Sequence, residues 1–146
     1  MANSKKNKAK HPTQTEYWKN LVTTDFVTFD PEQTIAMLPV GAIEQHGPHL
    51  PLGTDAYITE SLVEGLLTRN HDPINLLALP PMLIGHSCEH SDFPGTLSAD
   101  AETLINLWTN IGKQVSKSGI YKLLILNSHG GQPQVVDIVA QCLRSQ

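Results

Sequence analysis

Between Glu44 and Asp55 the chain reads Glu-Gln-His-Gly-Pro-His-Leu-Pro-Leu-Gly-Thr-Asp, directly after the apolar run Ile35 to Val40. Carboxylates and imidazoles gathered where a buried strand gives way to a loop are the donors a divalent cation takes, and they point to hydrolytic metal chemistry. Glu44 and His46 stand two apart, which in an extended segment aims both side chains to one side. Asp55 can return to the same point from the start of a helix, as a second carboxylate able to bridge. His129, ahead of Gly130 and Gly131, completes a set sufficient for one ion or most of a two-ion site. The spacing is not that of the zinc signature His-Glu-x-x-His.

A second polar group, Ser87, Cys88, Glu89, His90 and Asp92, lies farther along. Glu89 and His90 are candidates for positioning a substrate or shuttling a proton, and Ser87 and Gly130 for contacting it. A nucleophile triad of Ser87, His90 and Asp92 is disfavoured, because Gly-x-Ser-x-Gly is absent and all three sit in one loop. Cys88 is read as a small buried cysteine, since no helix N-terminus is expected beside it to activate the thiol.

Each ligand candidate also has a plain structural reading. Asp55 could be a helix N-cap, Glu44 a solvated loop acid, and His49, between Pro48 and Leu50, a packing or supporting histidine. His129 could belong to a tight turn, or the glycines and the next helix N-terminus could cradle an anion. Convergence at one place is what favours a metal site over these readings.

Hydrophobic periodicity supplies that convergence. Strands are expected at Ile35 to Pro39, Ile74 to Leu79 and Tyr121 to Leu126. Helices are expected from Asp55 to Asn70, with Ile58, Leu62 and Leu66 on one face, from Ser98 to Gly119, with Leu104, Leu107, Trp108, Ile111 and Val115, and from Pro133 onward, with Val136, Val139, Ala140 and Leu143. The order βαβαβα with near-continuous apolar strands predicts an α/β fold, a three-layer αβα arrangement around a mainly parallel sheet. In such a sheet the loops after the strands gather along one edge, where ligands of open α/β folds bind. The segment from Glu44 to Asp55, the group from Ser87 to Asp92, and Asn127, Ser128 and His129 all fall in those loops.

Composition limits the alternatives. The chain has 146 residues, 40% of them hydrophobic, enough for one compact domain. Its net charge is -4, yet Lys5, Lys6, Lys8 and Lys10 fall within the first ten residues, so the body is more acidic than the whole and poorly suited to nucleic acid. Residues 1–15 read as a disordered basic tail and residues 16–146 as the α/β domain. No apolar run reaches a membrane span, and two cysteines, Cys88 and Cys142, suit a reducing cytoplasm.

Three segments carry a resemblance. Pro39 to Asp55, then Gly85-His-Ser-Cys-Glu-His-Ser-Asp-Phe-Pro-Gly-Thr96, then Asn127-Ser-His-Gly-Gly131 are similar, in content and order, to motifs of the creatininase (creatinine amidohydrolase) family, from about Tyr17 to the end. The resemblance implies a metal-dependent amidohydrolase with one or two divalent ions per subunit, zinc or manganese, often assembled as a homo-oligomeric hexamer. It places Glu44, His46, Asp55 and His129 on metal ligands, with Asp55 as the bridge. Creatininases proper carry His-x-Glu, its Glu a ligand of the second metal, where this chain has His129-Gly130-Gly131. The expected substrate is therefore another small amide, cyclic amide, formamide or peptide. Relatives are longer and draw a further His and Glu from their later part, so the chain is expected to be C-terminally truncated. The rival expectation is a non-catalytic remnant or assembly module that keeps the metal loop.

Overall fold

The computed structural model describes residues 14–69 and 71–145. Four strands, β1 (Thr15–Tyr17), β2 (Thr34–Val40), β3 (Asn75–Ala78) and β4 (Lys122–Asn127), form one sheet in the order β1-β3-β2-β4. Every pairing is parallel. Three helices, α1 (Thr54–Leu67), α2 (Ala101–Lys117) and α3 (Pro133–Arg144), cover it.

Alternation along the strands divides the interior in two. Ala36, Leu38 and Val40 of β2, with Leu77 of β3 and Leu79 beyond it, face Leu104, Trp108 and Val115 of α2 and Val135 and Val139 of α3. Met37 of β2, with Leu76 and Ala78 of β3, faces Val63 of α1. The central strand β2 is buried almost throughout because both its faces are covered, which is why it reads as an unbroken apolar run. Pro39 is tolerated in its middle: its carbonyl accepts from Met82 N–H (2.9 Å), so its missing donor faces the side where the β3 ladder has already ended.

Strand β1 is absent from the sequence reading, because three residues, Thr-Glu-Tyr, are too short and too polar to show a period. It pairs with β3, and Leu76 N–H donates to Gln14 O (3.0 Å), so Gln14 and Thr15 belong to the sheet rather than to the tail. The rest of the expected tail, residues 1–13, lies outside the described residues. The face assigned to α1 is also corrected. Ala56, Thr59 and Val63 are its buried side, whereas Ile58 and Leu62 are exposed. An apolar residue on nearly every side of α1 leaves the period ambiguous. Cys88 is exposed, not buried, and both cysteines are free thiols.

The connections place the loops. From β2 the chain crosses to β3 on one side of it, and from β3 it crosses back to β4 on the other. The loops leaving β2 and β4 therefore part toward opposite faces and open a crevice between them at their C-terminal ends. No described helix is long and apolar enough to cross a membrane.

Candidate metal centre

The loop after β2 is tied down at several points. Gly41 N–H donates to Met82 O (2.9 Å), Glu44 N–H to Leu52 O (3.0 Å), and Ile43 bridges to Leu97 of the loop after β3. Gly47 turns the chain at a φ of 74°, a left-handed value that glycine adopts freely. These constraints turn the Glu44 side chain inward, where it is buried.

Asp55 lies in the first turn of α1, whose N-cap is Gly53, and no side chain caps this helix. The capping reading of Asp55 is thereby removed. Its buried carboxylate points to the cluster instead, with Oδ2 2.9 Å from His129 Nδ1 and Oδ1 3.4 Å from His46 Nε2. His129 Nδ1 is also 3.3 Å from Glu44 Oε1, and His46 Nε2 stands 4.0 Å from the same oxygen. All four expected ligands thus meet, although Asp55 and His129 are 74 residues apart.

The hydrogen bonds on the far side of each imidazole fix what faces the centre. His129 Nε2 lies 2.9 Å from His86 O, and His46 Nδ1 lies 3.1 Å from Glu44 O. A carbonyl only accepts, so these nitrogens are the N–H donors. When the imidazole is neutral, the other ring nitrogen of each histidine turns a lone pair toward the carboxylate oxygens, the form a metal takes. Such a gathering of acceptors repels itself unless a positive charge lies within it. Among the described residues, no Lys or Arg forms an ion pair with Glu44 or Asp55, the one such pair being Lys122 with Glu32. Glu44 Oε2 is buried without a hydrogen-bond partner. This donor set and its orphaned oxygen fit a divalent cation: Glu44, His46 and Asp55 offer ligand atoms all within 4.8 Å of one another, as do Glu44, Glu89 and His129.

The other expected site residues fall in different places. His90 has Nε2 4.0 Å from Glu44 Oε2, and its Nδ1 is 3.0 Å from Gln45 Nε2. Gln45 Oε1 accepts from Gly47 N–H (2.9 Å), so its amide nitrogen is the donor, and His90 presents Nε2–H toward Glu44. Glu89 sits in a 3-10 turn, Cys88–His90, with its carboxyl held below the usual carboxylate range. A hydrogen bond from its own backbone is the largest cause; the Cys88 thiol, His129 and His90 act the same way against partial desolvation. Ser87 is fully buried, with Oγ 3.2 Å from His129 Nε2, so its hydroxyl lies against the imidazole. Gly130 is exposed, with open space where a side chain would be. His49 is exposed on its loop and outside both ligand groups.

Gln132 is absent from the sequence reading, and Asn127 enters it only as a member of the motif around His129. Gln132 is fully buried, accepts from His86 N–H (3.0 Å) and donates to Asn127 Oδ1 (2.9 Å) and Gly41 O (3.3 Å), joining the loops after β2, β3 and β4. Asn127 Oδ1 accepts from His129 N–H (3.1 Å) and Asn127 Nδ2 donates to His129 O (2.8 Å), fixing the turn that carries the imidazole. A glutamine just before the proline that opens α3 was the available signal for Gln132.

A family model described as creatinine amidohydrolase matches residues 19–146. The mycofactocin precursor peptide peptidase of Mycobacterium ulcerans (strain Agy99) is 35% identical over 115 residues, covering 75% of this chain and 46% of that protein. A creatininase variant of Zn-Zn type has the same fold with a TM-score of 0.72 at 24% identity, over 92% of this chain and 53% of its own. A manganese form of creatininase gives a TM-score of 0.72 at 24% identity, over 91% of this chain and 52% of its own. The chain spans about half the length of these relatives.

Proposed function

The chain belongs to the creatininase (creatinine amidohydrolase) family, and from that premise we propose that it carries the metal-binding part of an amidohydrolase that cleaves a C–N bond of a small amide, cyclic amide, formamide or peptide. The observation that carries the reading is the mutual approach of buried Glu44, Asp55 and His129 with His46, imidazole nitrogens facing carboxylates and no Lys or Arg ion-paired to those acids among the described residues. Glu44, His46, Asp55 and His129 would hold the ion, zinc or manganese. When bound, a divalent cation supplies Lewis-acid activation of the carbonyl and of the attacking water.

The protein's own groups do the rest. Asp55 turns one oxygen toward each imidazole and would offer both to the ion. His90, its tautomer set by Gln45, offers an N–H beside Glu44 Oε2 and would be the group to protonate a departing nitrogen. Ser87 and the His86 carbonyl hold His129 from behind, keeping its Nδ1 aimed at the carboxylates.

The test is metal content after purification without chelator, beside a screen of lactams, formamides and short peptides with zinc or manganese supplied. Wild-type protein is expected to retain the ion, and Asp55→Ala and His129→Ala to lose it. Retention in both variants equal to wild type would sink the assignment.

A further inference from the structure

The turn that follows Glu89 is fastened to the loop that carries Glu44. Phe93 N–H donates to His90 O (3.1 Å) and Thr96 N–H to Phe93 O (3.2 Å), closing the turn on itself. Thr96 Oγ1 accepts from Gln45 N–H (3.1 Å), and Leu97 N–H donates to Ile43 O (2.9 Å). Ile43 and Gln45 flank Glu44, so the turn is bonded to the residue on each side of it. Gly95, at a left-handed φ of 93°, lies so close to Leu52 that a Cβ there would overlap its side chain. The position of Phe93 is therefore set relative to the centre by two loops at once.

The ring held in this way has no place in the core. Phe93 is 50% exposed and belongs to neither core cluster. It meets the His90 ring edge-on, with centroids 6.1 Å apart. His90 Nε2 in turn lies 4.0 Å from Glu44 Oε2, and His90 is the group that would protonate a departing nitrogen. A substituent on that nitrogen would come beside Phe93, half of whose surface is free to receive it. An apolar or aromatic group gains most from such burial.

Charge narrows the choice further. Residues 41–55, 79–100 and 128–132, which follow β2, β3 and β4, contain no Lys or Arg. Their carboxylates are Glu44, Asp55, Glu89, Asp92 and Asp100. Glu89 and Asp92 alternate along the chain with His90 and Phe93. An anionic substituent beside His90 would meet those two acids with no Lys or Arg from these loops to balance it.

We propose that Phe93 is a specificity-determining residue: it packs against an uncharged apolar group carried by the nitrogen of the scissile amide, and the acids around it disfavour a carboxylate in that place. The inference rests on the metal reading of the preceding subsection and on the place of His90 in it, and it names the class of substrate on the departing side.

The test uses three hydroxamates that share a chelating head and differ only at nitrogen, N-benzyl-, N-methyl- and N-carboxymethylacetohydroxamate. Their binding to the Mn2+-loaded protein is measured by isothermal titration calorimetry, with metal content checked afterwards. Wild type is expected to hold the benzyl compound about tenfold more tightly than the methyl one. The carboxymethyl compound is expected to bind no more tightly than the methyl one. Phe93→Ala, with unchanged far-ultraviolet circular dichroism, should bring the benzyl compound to the methyl level, and Phe93→Leu should recover part of the difference. Equal wild-type affinity for benzyl and methyl, a benzyl preference that survives Phe93→Ala, or tightest binding of the carboxymethyl compound overturns the inference and leaves the proposed function standing. A metal-loaded protein that binds none of the three does the same. A protein that takes up no metal overturns the proposed function, and this inference with it.

Discussion

Gln132 supplies no ligand, yet its amide satisfies His86 N–H, Asn127 Oδ1 and Gly41 O in the fully buried floor of the centre. Gln132→Leu keeps the volume and strands His86 N–H and Gly41 O, each unpaired buried polar group costing about 1–3 kcal/mol. The variant is expected to unfold at lower denaturant and to bind metal more weakly, since His86 O orients His129; unchanged unfolding would show that water replaces the amide. The four ligand candidates were legible beforehand because acids and histidines are conspicuous where an apolar strand ends. The amides were not, because what Gln45 or Gln132 does depends on which backbone groups come near. The setting of Ser87 was hidden for the same reason: its residue type suggests a substrate contact, whereas only the fold brings its buried Oγ to His129.

Helix α2 begins with Asp100, whose Oδ1 accepts from Thr103 N–H (2.8 Å) and whose Oδ2 accepts from Thr103 Oγ1 (2.7 Å). The Thr103 hydroxyl, then its N–H, hold the Asp100 carboxyl below its ordinary value of 3.8. A lowered folded-state pKa means stabilisation present above that ordinary value and lost as the pH falls through the folded one. Thermal unfolding from neutral pH down to about pH 3 should therefore cost wild type more stability than Asp100→Asn, which caps without a charge; parallel losses would contradict this. Helices and strands of this kind were readable in outline. Strands β2 and β3 announced themselves because both faces are covered, β4 because Leu123 to Leu126 is an unbroken apolar run, and α2 because Leu104, Trp108 and Val115 recur at helical spacing. Strand β1 and the buried side of α1 were hidden, one by brevity, the other by excess apolar residues.

Across the molecule, the sheet is protected unevenly. Strand β4 lies at one end of the strand order, with Leu124 46% exposed and Tyr121, just before it, 70% exposed. An apolar edge strand is a template for pairing with another chain. Concentration-dependent self-association is expected by sedimentation velocity, and Leu124→Lys should reduce it while leaving metal content unchanged; indifference to the lysine would place any association elsewhere. The parallel register of β2 on β4, Ile35 opposite Lys122 through Val40 opposite Asn127, has a further consequence in time. During translation at about 5–20 residues per second, Glu44 leaves the peptidyl-transfer centre about 4–17 s ahead of His129. For that interval the nascent chain holds carboxylates and an imidazole without the partner that completes them, so any early ion capture by Glu44, His46 and Asp55 is provisional until the sixth residue of β4 has emerged and the turn behind it has closed.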